Sequence, residues 1–567
     1  VNAVQPRMDT REPSAADAAT EGWKAPRSQE RIAVMKTKTI PHHGRGLEDF
    51  LARHGADVTG VIGGFDRVRL RASLRYLYQP SFMMRYLSAA NVLLKDFAGY
   101  VGGWTERVRA ASHALAEQHG RPVRYLYSSA ERKEALAREV ARRDRIDEGL
   151  IGVWSCVEPC LTYFARRDAE AKKLVLRLEP GKCLHHYFYF EHAELGLMHL
   201  RLQTWFPFQV SVCVNGRLWL ARQLERAGID YVQRDNCFTR IADVPRAQAL
   251  AQAQVRTHWP TRLQPLLEQC HPLAAELCRP LALSYYWSVD ESEYATDLLF
   301  KTPAALAGLY PQLVHHGIRH FGCRDALRFL GHRVPARGPA HGNYRGEVLS
   351  ELKQRPEGLR LKHQVNGNTL KIYDKQGQVL RVETTLNRPH DFRVYRASER
   401  QPKGKKRWLV LRKSAADIPR RAQVCAAAND RYLGALAGVP TGTAAGELAR
   451  PVCRPIVKKG RRHRALNPWA EPDATLLETI GRGEWALHGF RNRDVRALLY
   501  PGATAAIGHR RRAGRVTRAL AMLRAHGVIR KVTGTHRYLV TANGRKLITA
   551  LLAARQADVQ QLTQLAA

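Results

Sequence analysis

A chain of 567 residues is long enough for about three or four domains. Its 45% apolar and 8% aromatic content excludes wholesale disorder. A formal net charge of +40 must be solvated or matched by a polyanion, of which nucleic acid is the commonest. No apolar run approaches the roughly 18–20 residues of a membrane span, so no membrane partner is expected. Ten cysteines in so long a chain, most with apolar neighbours, read as buried thiols of a reducing cytoplasm. A cytoplasmic, nucleoid-associated location is expected.

Residues 1–39 are polar and aperiodic and read as a disordered tail, with Val1 as the translation of an alternative start codon and Met35 as the other candidate start. Residues 47–149 form a mainly helical region, in which Leu136 and Val140 stand four apart as one face of a helix requires. Alternation from Phe65 to Arg71 suits a strand with one basic face.

Residues 150–280 read as an α+β domain. Strands are expected at 173–178, 183–190, 199–204 and 209–214, then a turn at Asn215-Gly216 and a helix from Leu218 to Ala227 that Gly228 stops. Short strands at 231–232 and 237–241 and two or three helices between Pro245 and Leu277 follow. Residues 281–411 read as a second α+β domain, opening with a β-rich run at 281–287. Ser288-Val-Asp-Glu291 has the form of a capping box, so a helix is expected next. Asp290, Glu293, Tyr294 and Asp297 would share one stripe of it, and Asp297, too far along for a capping role, becomes a candidate metal-binding acid. Residues 412–472 read as a basic linker and helix, with 403–407 and 458–464 as exposed arms.

The second α+β domain carries a three-strand meander at 359–365, 368–373 and about 379–385. Asn366-Gly367 is a type I′ hairpin turn, which pairs Val365 with Asn368, His363 with Leu370 and Leu361 with Ile372. A five-residue second loop, 374–378, would set Leu380 opposite Ile372 and Val382 opposite Leu370. One face then collects Arg360, Lys362, Lys371, Tyr373, Arg381 and Glu383. A phosphodiester suits it: cations neutralise the phosphate, Glu383 could hold Mg or Mn, and Tyr373 could attack or position. The alternative is a basic sheet face on which Glu383 pairs with Lys or Arg.

Lys371-Ile-Tyr-Asp-Lys375 followed by Leu380-Arg-Val-Glu383 resembles a short segment of the rolling-circle replication initiators of phages and plasmids. The resemblance implies a nicking site with Tyr373 as nucleophile and Lys371, Arg381 and Glu383 beside it. The His-hydrophobic-His triplet of that class is absent; His185-His186 and His199-Leu-Arg201 do not supply it. Lys371–Lys375 and Trp205-Phe-Pro-Phe208 also resemble stretches shared by a group of bacterial hypothetical proteins whose activity is not established.

Cys156, Cys160, Cys183 and His185 could supply four soft zinc ligands, the alternative being buried thiols of an α+β core. The aromatic- and histidine-rich stretch from His185 to Phe208 could stack unpaired bases or fill a core. No P-loop, RNP motif or Gly-x-Ser-x-Gly elbow is present.

Residues 473–567 hold 16 Lys/Arg and 5 Asp/Glu. Helices are expected at 474–481, after Asn492, and from Gly514 to His526, where Val516, Leu520 and Leu523 recur at i, i+4, i+7. A hairpin, 528–532 with 537–541, and a helix at 545–555 complete the order. The stretches Val516–Leu520, Leu523–Arg530 and Tyr538–Gly544 resemble the MarR-like winged-helix repressors. That resemblance implies a recognition helix in the major groove and a hairpin tip on phosphates or the minor groove. The residues placed for DNA contact are Arg511, Arg512, Arg515 and Arg518 on the helix, and His536 and Arg537 on the wing. The alternative is a solvated face on a protein-docking domain.

The expectation is therefore a multidomain α+β protein: a mixed helical and antiparallel-sheet body followed by a carboxy-terminal winged helix. Its partner is DNA, with RNA as the alternative. The function expected first is nucleic-acid binding, with DNA contacted through the carboxy-terminal winged helix and a mobile-element-type strand-processing site, a metal-dependent DNA or RNA phosphodiesterase, as a candidate in the body. The alternatives are a non-catalytic winged-helix regulator with a sensing or oligomerising body, and an RNA-associated binding protein.

Overall fold

The computed structural model describes residues 44–557 apart from 171, 333, 335–346, 356–357, 399–400, 402–403, 440–444, 459, 486–488 and 502–505. The expected tail at 1–39 lies outside the described residues. In chain order the first elements are α1 (Arg45–His54), β1 (Val58–Ser73), α2 (Pro80–Ala89), α3 (Phe97–Gln118), β2 (Val123–Tyr125), α4 (Lys133–Arg143), β3 (Gly149–Asp168), β4 (Lys173–His192), β5 (Gly196–Gln203) and β6 (Val210–Asn215). There follow α5 (Gly216–Arg226), β7 (Tyr231–Arg234), β8 (Cys237–Ile241), α6 (Val244–Arg256), α7 (Trp259–Cys270), α8 (Ala274–Cys278), β9 (Tyr286–Phe300), α9 (Pro303–His320) and α10 (Cys323–Phe329). The meander strands β10 (Val348–Arg355), β11 (Gly358–Val365), β12 (Asn368–Lys375) and β13 (Val379–Leu386) come next, then β14 (Arg393–Arg396), β15 (Arg407–Val410) and α11 (Ile418–Leu436). The last part comprises α12 (Ala445–Ala449), β16 (Ile456–Lys458), β17 (Arg461–His463), α13 (Glu471–Gly481), α14 (Asn492–Leu499), α15 (Ala506–Ala525), β18 (Ile529–Lys531), β19 (Tyr538–Val540) and α16 (Ala542–Gln556).

This is an α+β protein. Eleven strands make one sheet in the order β10-β11-β12-β13-β9-β1-β6-β5-β4-β3-β2, antiparallel except where the short β2 runs parallel to β3. Strands from either side of residue 280 meet at its centre, where β9 pairs with both β1 and β13.

Alternation along β1 sorts side chains by face. Val68, Leu70 and Ala72 are buried, while Arg67, Arg69 and Arg71 stand on the opposite face. A bulge between Phe65 and Arg67 inserts Asp66, so Phe65 and Val68 share the apolar face although three residues apart. Helices α9 and α11 cover that apolar face; Asn429 of α11 donates to the backbone of Tyr294 and Val382 and to Thr296 Oγ1.

The segment from Ser288 is strand β9, not the expected capped helix. The i, i+3, i+4, i+7 spacing of Asp290, Glu293, Tyr294 and Asp297 suits one helical stripe, but in a strand it splits. Tyr294 packs edge-on against Phe65 on the apolar face, and Glu293 and Asp297 point to the other. Three arginines of β1 match the acids: Arg67 lies 3.1 Å from Glu293, Arg69 3.9 Å from Glu291 and Arg71 2.7 Å from Asp290. Cross-strand pairing thus overrides local helix signals. The strand also starts at Tyr286 rather than 281, because Ala282 adopts a left-handed φ of 47°.

Strand β3 was not among the expected strands, and β4 is a single strand where two were expected. Pro159 and Pro180 lie where these strands pair only with each other, so each lacks an N–H on an unpaired edge. The basic segments expected as arms are partly structured: Arg461–His463 forms β17 against β16, Arg464 donates to Asp473 at 2.7 Å, and Arg407 begins β15. Lys403 and Lys459 lie outside the described residues.

The carboxy-terminal elements follow the expected order, with α15 starting at Ala506 rather than Gly514. Val516, Leu520 and Leu523 are buried with Leu477, Phe490, Val495 and Ile548. An antiparallel bridge between Phe490 and Tyr538 adds a third short strand to the β18–β19 hairpin. This unit docks on the body through Arg545–Asp49 at 2.8 Å and Arg328–Glu484 at 3.5 Å. Among the described residues no helix is long and apolar enough to cross a membrane.

Candidate functional site

The Asn366-Gly367 turn pairs β11 and β12 as its type demands: Val365 with Asn368, His363 with Leu370, Leu361 with Ile372. The second connection is three residues, Gln376–Gln378, not five. Gln376 and Gly377 take positive φ (59° and 72°) and let Lys375 pair with Val379. Val382 therefore faces Ile372 and Thr384 faces Leu370, a shift of two from the expected register. A shift of two keeps every side chain on its face. Glu383 comes opposite Lys371 and Arg381 opposite Tyr373, with Arg360 and Lys362 next along the same face.

Glu383, 3% exposed, is the centre of that face. Lys371 Nζ donates to its Oε1 and the Tyr373 hydroxyl to its Oε2, both at 2.7 Å. Burial pushes the Glu383 carboxyl up, but the charges of Lys371 and Arg381 outweigh this and hold it at about 2. Burial, with the Glu383 charge added, raises the Tyr373 phenol well above its ordinary 10. Burial would lower the Lys371 ammonium, yet Glu383 and Glu293 raise it. The three groups form an ionised pair with a neutral phenol attached.

Arg381 is not the surface cation that the sequence led one to expect. It is 1% exposed and directs its guanidinium at Asp297, Asp66 and the Asn236 carbonyl. Arg217, fully buried on α5, lies 2.9 Å from Asp297. Two arginines and two aspartates thus neutralise one another in the interior. Arg381 and Arg217 hold both Asp297 oxygens, which leaves no lone-pair site aimed at solvent for a metal. The sequence reading missed Asp66, on its bulge, and Arg217, next to the Asn215 cap of α5. A lone Asp amid the alternating Phe65–Arg71 strand was the available signal for the first.

The polar face opens into a trough of about 1100 Å³ between α4 on one side and α5 with the β7–β8 turn on the other. Lys371, Tyr373 and Glu383 line one end, and Tyr187, His199 and Arg201 the other. Its cations are largely matched: besides the β1–β9 pairs, Arg201 lies 2.8 Å from Glu158 and Lys375 2.6 Å from Asp235. Glu158 also accepts from Tyr187 at 2.6 Å and lies 3.1 Å from Lys133. Burial pushes this carboxyl up, but the Tyr187 and Cys156 hydrogen bonds and Arg201 hold it at about 2.

The aromatic stretch is mostly core. Phe206 and Phe208 are fully buried, and Trp205 donates to the Tyr163 carbonyl. Cys160, Cys183 and His185 converge, with donor atoms all within 4.8 Å of one another; among the described residues they are the only such set of three candidate metal ligands. Cys156 is on the same face but donates to Glu158 instead.

In the carboxy-terminal unit, Arg511, Arg515 and Arg518 at i, i+4, i+7 are exposed along α15, and the described residues hold no ion-pair partner for them. Arg512 is half-buried, 5.8 Å over the Tyr500 ring. His536 is exposed at the hairpin tip and Arg537 half-buried behind it. Comparison with protein-family models, with curated proteins and with solved structures finds no match for this chain.

Proposed function

We propose that this chain binds duplex DNA through residues 473–557, which we read as a winged helix of the kind the MarR-like repressors carry. The order α13, the Phe490 bridge, α14, α15, hairpin, α16 supports that reading. The observation that carries it is a contrast in charge. Cations lining the body's trough are largely held by carboxylates, whereas Arg511, Arg515 and Arg518 form an exposed row with no acid set against them among the described residues. Such a row suits phosphate contact and the bidentate reading of guanine in the major groove.

Strand processing at Tyr373 receives less support. Burial and the Glu383 charge hold the Tyr373 phenol neutral, while Lys371 and Arg381 hold Glu383 ionised, so passing the phenolic proton to Glu383 runs against both shifts. A metal at Glu383 would have to share its oxygens with Lys371 and Tyr373 and meet the Lys371 charge at 2.7 Å. The body is better suited to sense or assemble than to cut, its trough being a balanced polar surface.

The test is anisotropy of a labelled duplex with the full chain across a salt series. Replacing Arg511, Arg515 and Arg518 together by Ala is expected to flatten the slope of log affinity on log salt by about 0.9 for each phosphate that is no longer neutralised. An unaltered slope and affinity would refute the proposal.

A further inference from the structure

The β3–β4 hairpin outgrows the sheet. β5 pairs with β4 only from His185 to His192, and β2 touches β3 only at 153–155. Beyond Cys156 and His185 the two strands continue as a ribbon to Asp168 and Lys173, with no third strand beside them among the described residues. Cys160, Cys183 and His185 sit where sheet gives way to ribbon.

The geometry points to a zinc site made by Cys160, Cys183 and His185 at the root of this ribbon. The sulfurs of Cys160 and Cys183 are 3.2 Å apart, and His185 Nδ1 is 3.9 Å from Cys183 Sγ. A tetrahedral zinc, with Zn–S of about 2.3 Å and Zn–N of about 2.1 Å, holds its donors about 3.6–3.8 Å apart, so the two sulfurs must separate by about half an ångström and the imidazole close by a few tenths; all three donors already lie within 4.8 Å of one another. Two thiolates, one neutral imidazole and Zn²⁺ sum to zero charge, which a mostly buried pocket tolerates. Cys183 and His185 are buried and Cys160 is half-exposed, so the metal has an entry side and the ligands a rigid backing. His185 Nδ1, the nitrogen nearest the sulfurs, also lies 3.1 Å from the Cys183 carbonyl, so binding the metal through Nδ1 means giving up that hydrogen bond and keeping the ring proton on Nε2. The two thiols and the imidazole are soft and borderline donors, which favours zinc over Mg²⁺ or Ca²⁺. Water completes the fourth position, since Cys156 is committed to Glu158. The ion ties β3 to β4 across the last point at which the sheet supports them.

The experiment uses the full chain produced with added zinc and purified under reducing, chelator-free conditions. About one zinc per chain is expected by elemental analysis. Cobalt substitution should add a near-ultraviolet thiolate charge-transfer band and intense visible bands of a tetrahedral ion. Cys160→Ser, at the half-exposed ligand, should lower zinc content at least tenfold and abolish the charge-transfer band's two-thiolate intensity, whereas Cys323→Ser, exposed elsewhere, should leave both unchanged. Zinc-free protein, zinc content indifferent to Cys160→Ser, or a thiol count two short of ten from a Cys160–Cys183 disulfide would each overturn the assignment.

Discussion

Arg381 and Asp297 face each other across β13 and β9, and the guanidinium donates two hydrogen bonds to the carboxylate, at 2.6 and 2.8 Å. A third, 2.7 Å, reaches Asp66 on the β1 bulge. Three strands distant in sequence are thus joined by one side chain, which is why a residue with the look of a phosphate ligand is structural.

Truncating it leaves two carboxylates buried with Arg217 alone. Arg381→Met is expected to cost about 3–5 kcal/mol, seen as a lower urea midpoint or loss of folded chain. Arg381→Met combined with Asp297→Leu should recover much of that, because one arginine and one aspartate then remain. A single variant as stable as the parent would show that the network is not a stabilising centre.

At the neighbouring site the partners are unequal. Tyr373→Phe removes one neutral donor and should cost about 1 kcal/mol, whereas Lys371→Met strands a buried carboxylate and should cost about 2–4 kcal/mol. Glu383 titrates at about 2 in the folded chain against 4.5 when free. Its contribution is present above 4.5 and is lost as pH falls towards 2. Stability curves of the Lys371→Met variant should therefore be flatter than the parent's in that window.

Besides His185, the histidines His186, His271 and His363 are 1% exposed. Burial lowers His271 and His363 to about 4 and, with like charge from His113 and His185, lowers His186 to about 3. They stay neutral when folded but take a proton near 6.5 when unfolded, so stability is full above 6.5 and falls with pH below it. Each accounts for about 1.4 kcal/mol per pH unit inside its window. Both ring nitrogens of His186 lack partners, so His186→Phe should keep the fold and remove one such increment between pH 6 and 4. Denaturation midpoints that do not change over this range would contradict the account.

Arg512 is a control for the DNA face. Its guanidinium stacks over Tyr500 rather than joining the exposed row. Arg512→Ala should lower the melting temperature by a few degrees yet leave the salt slope of DNA binding unchanged, while Arg515→Ala should do the reverse. Equal effects of both on the slope would place Arg512 on the phosphates.

Local chemistry made much of this protein legible. Asn366-Gly367 sets the β11–β12 register because only a type I′ turn closes two strands over two residues with positive φ. The i, i+4, i+7 spacing of Val516, Leu520 and Leu523 likewise places the buried side of α15 and, by exclusion, its arginine row. Alternation also put Lys371, Tyr373, Arg381 and Glu383 on one face, since parity survives a register shift of two. Pairing between distant strands was not legible. Ser288 to Asp297 has both a helical and an alternating period, and only Arg67, Arg381 and Tyr294 meeting their partners from other strands makes it β9. The same long-range pairing withdraws Arg381 and Asp297 from solvent and gathers Cys160, Cys183 and His185 on one face of a hairpin. Period and turn type act over a few residues, whereas burial and charge matching depend on which segments lie side by side once the sheet has closed.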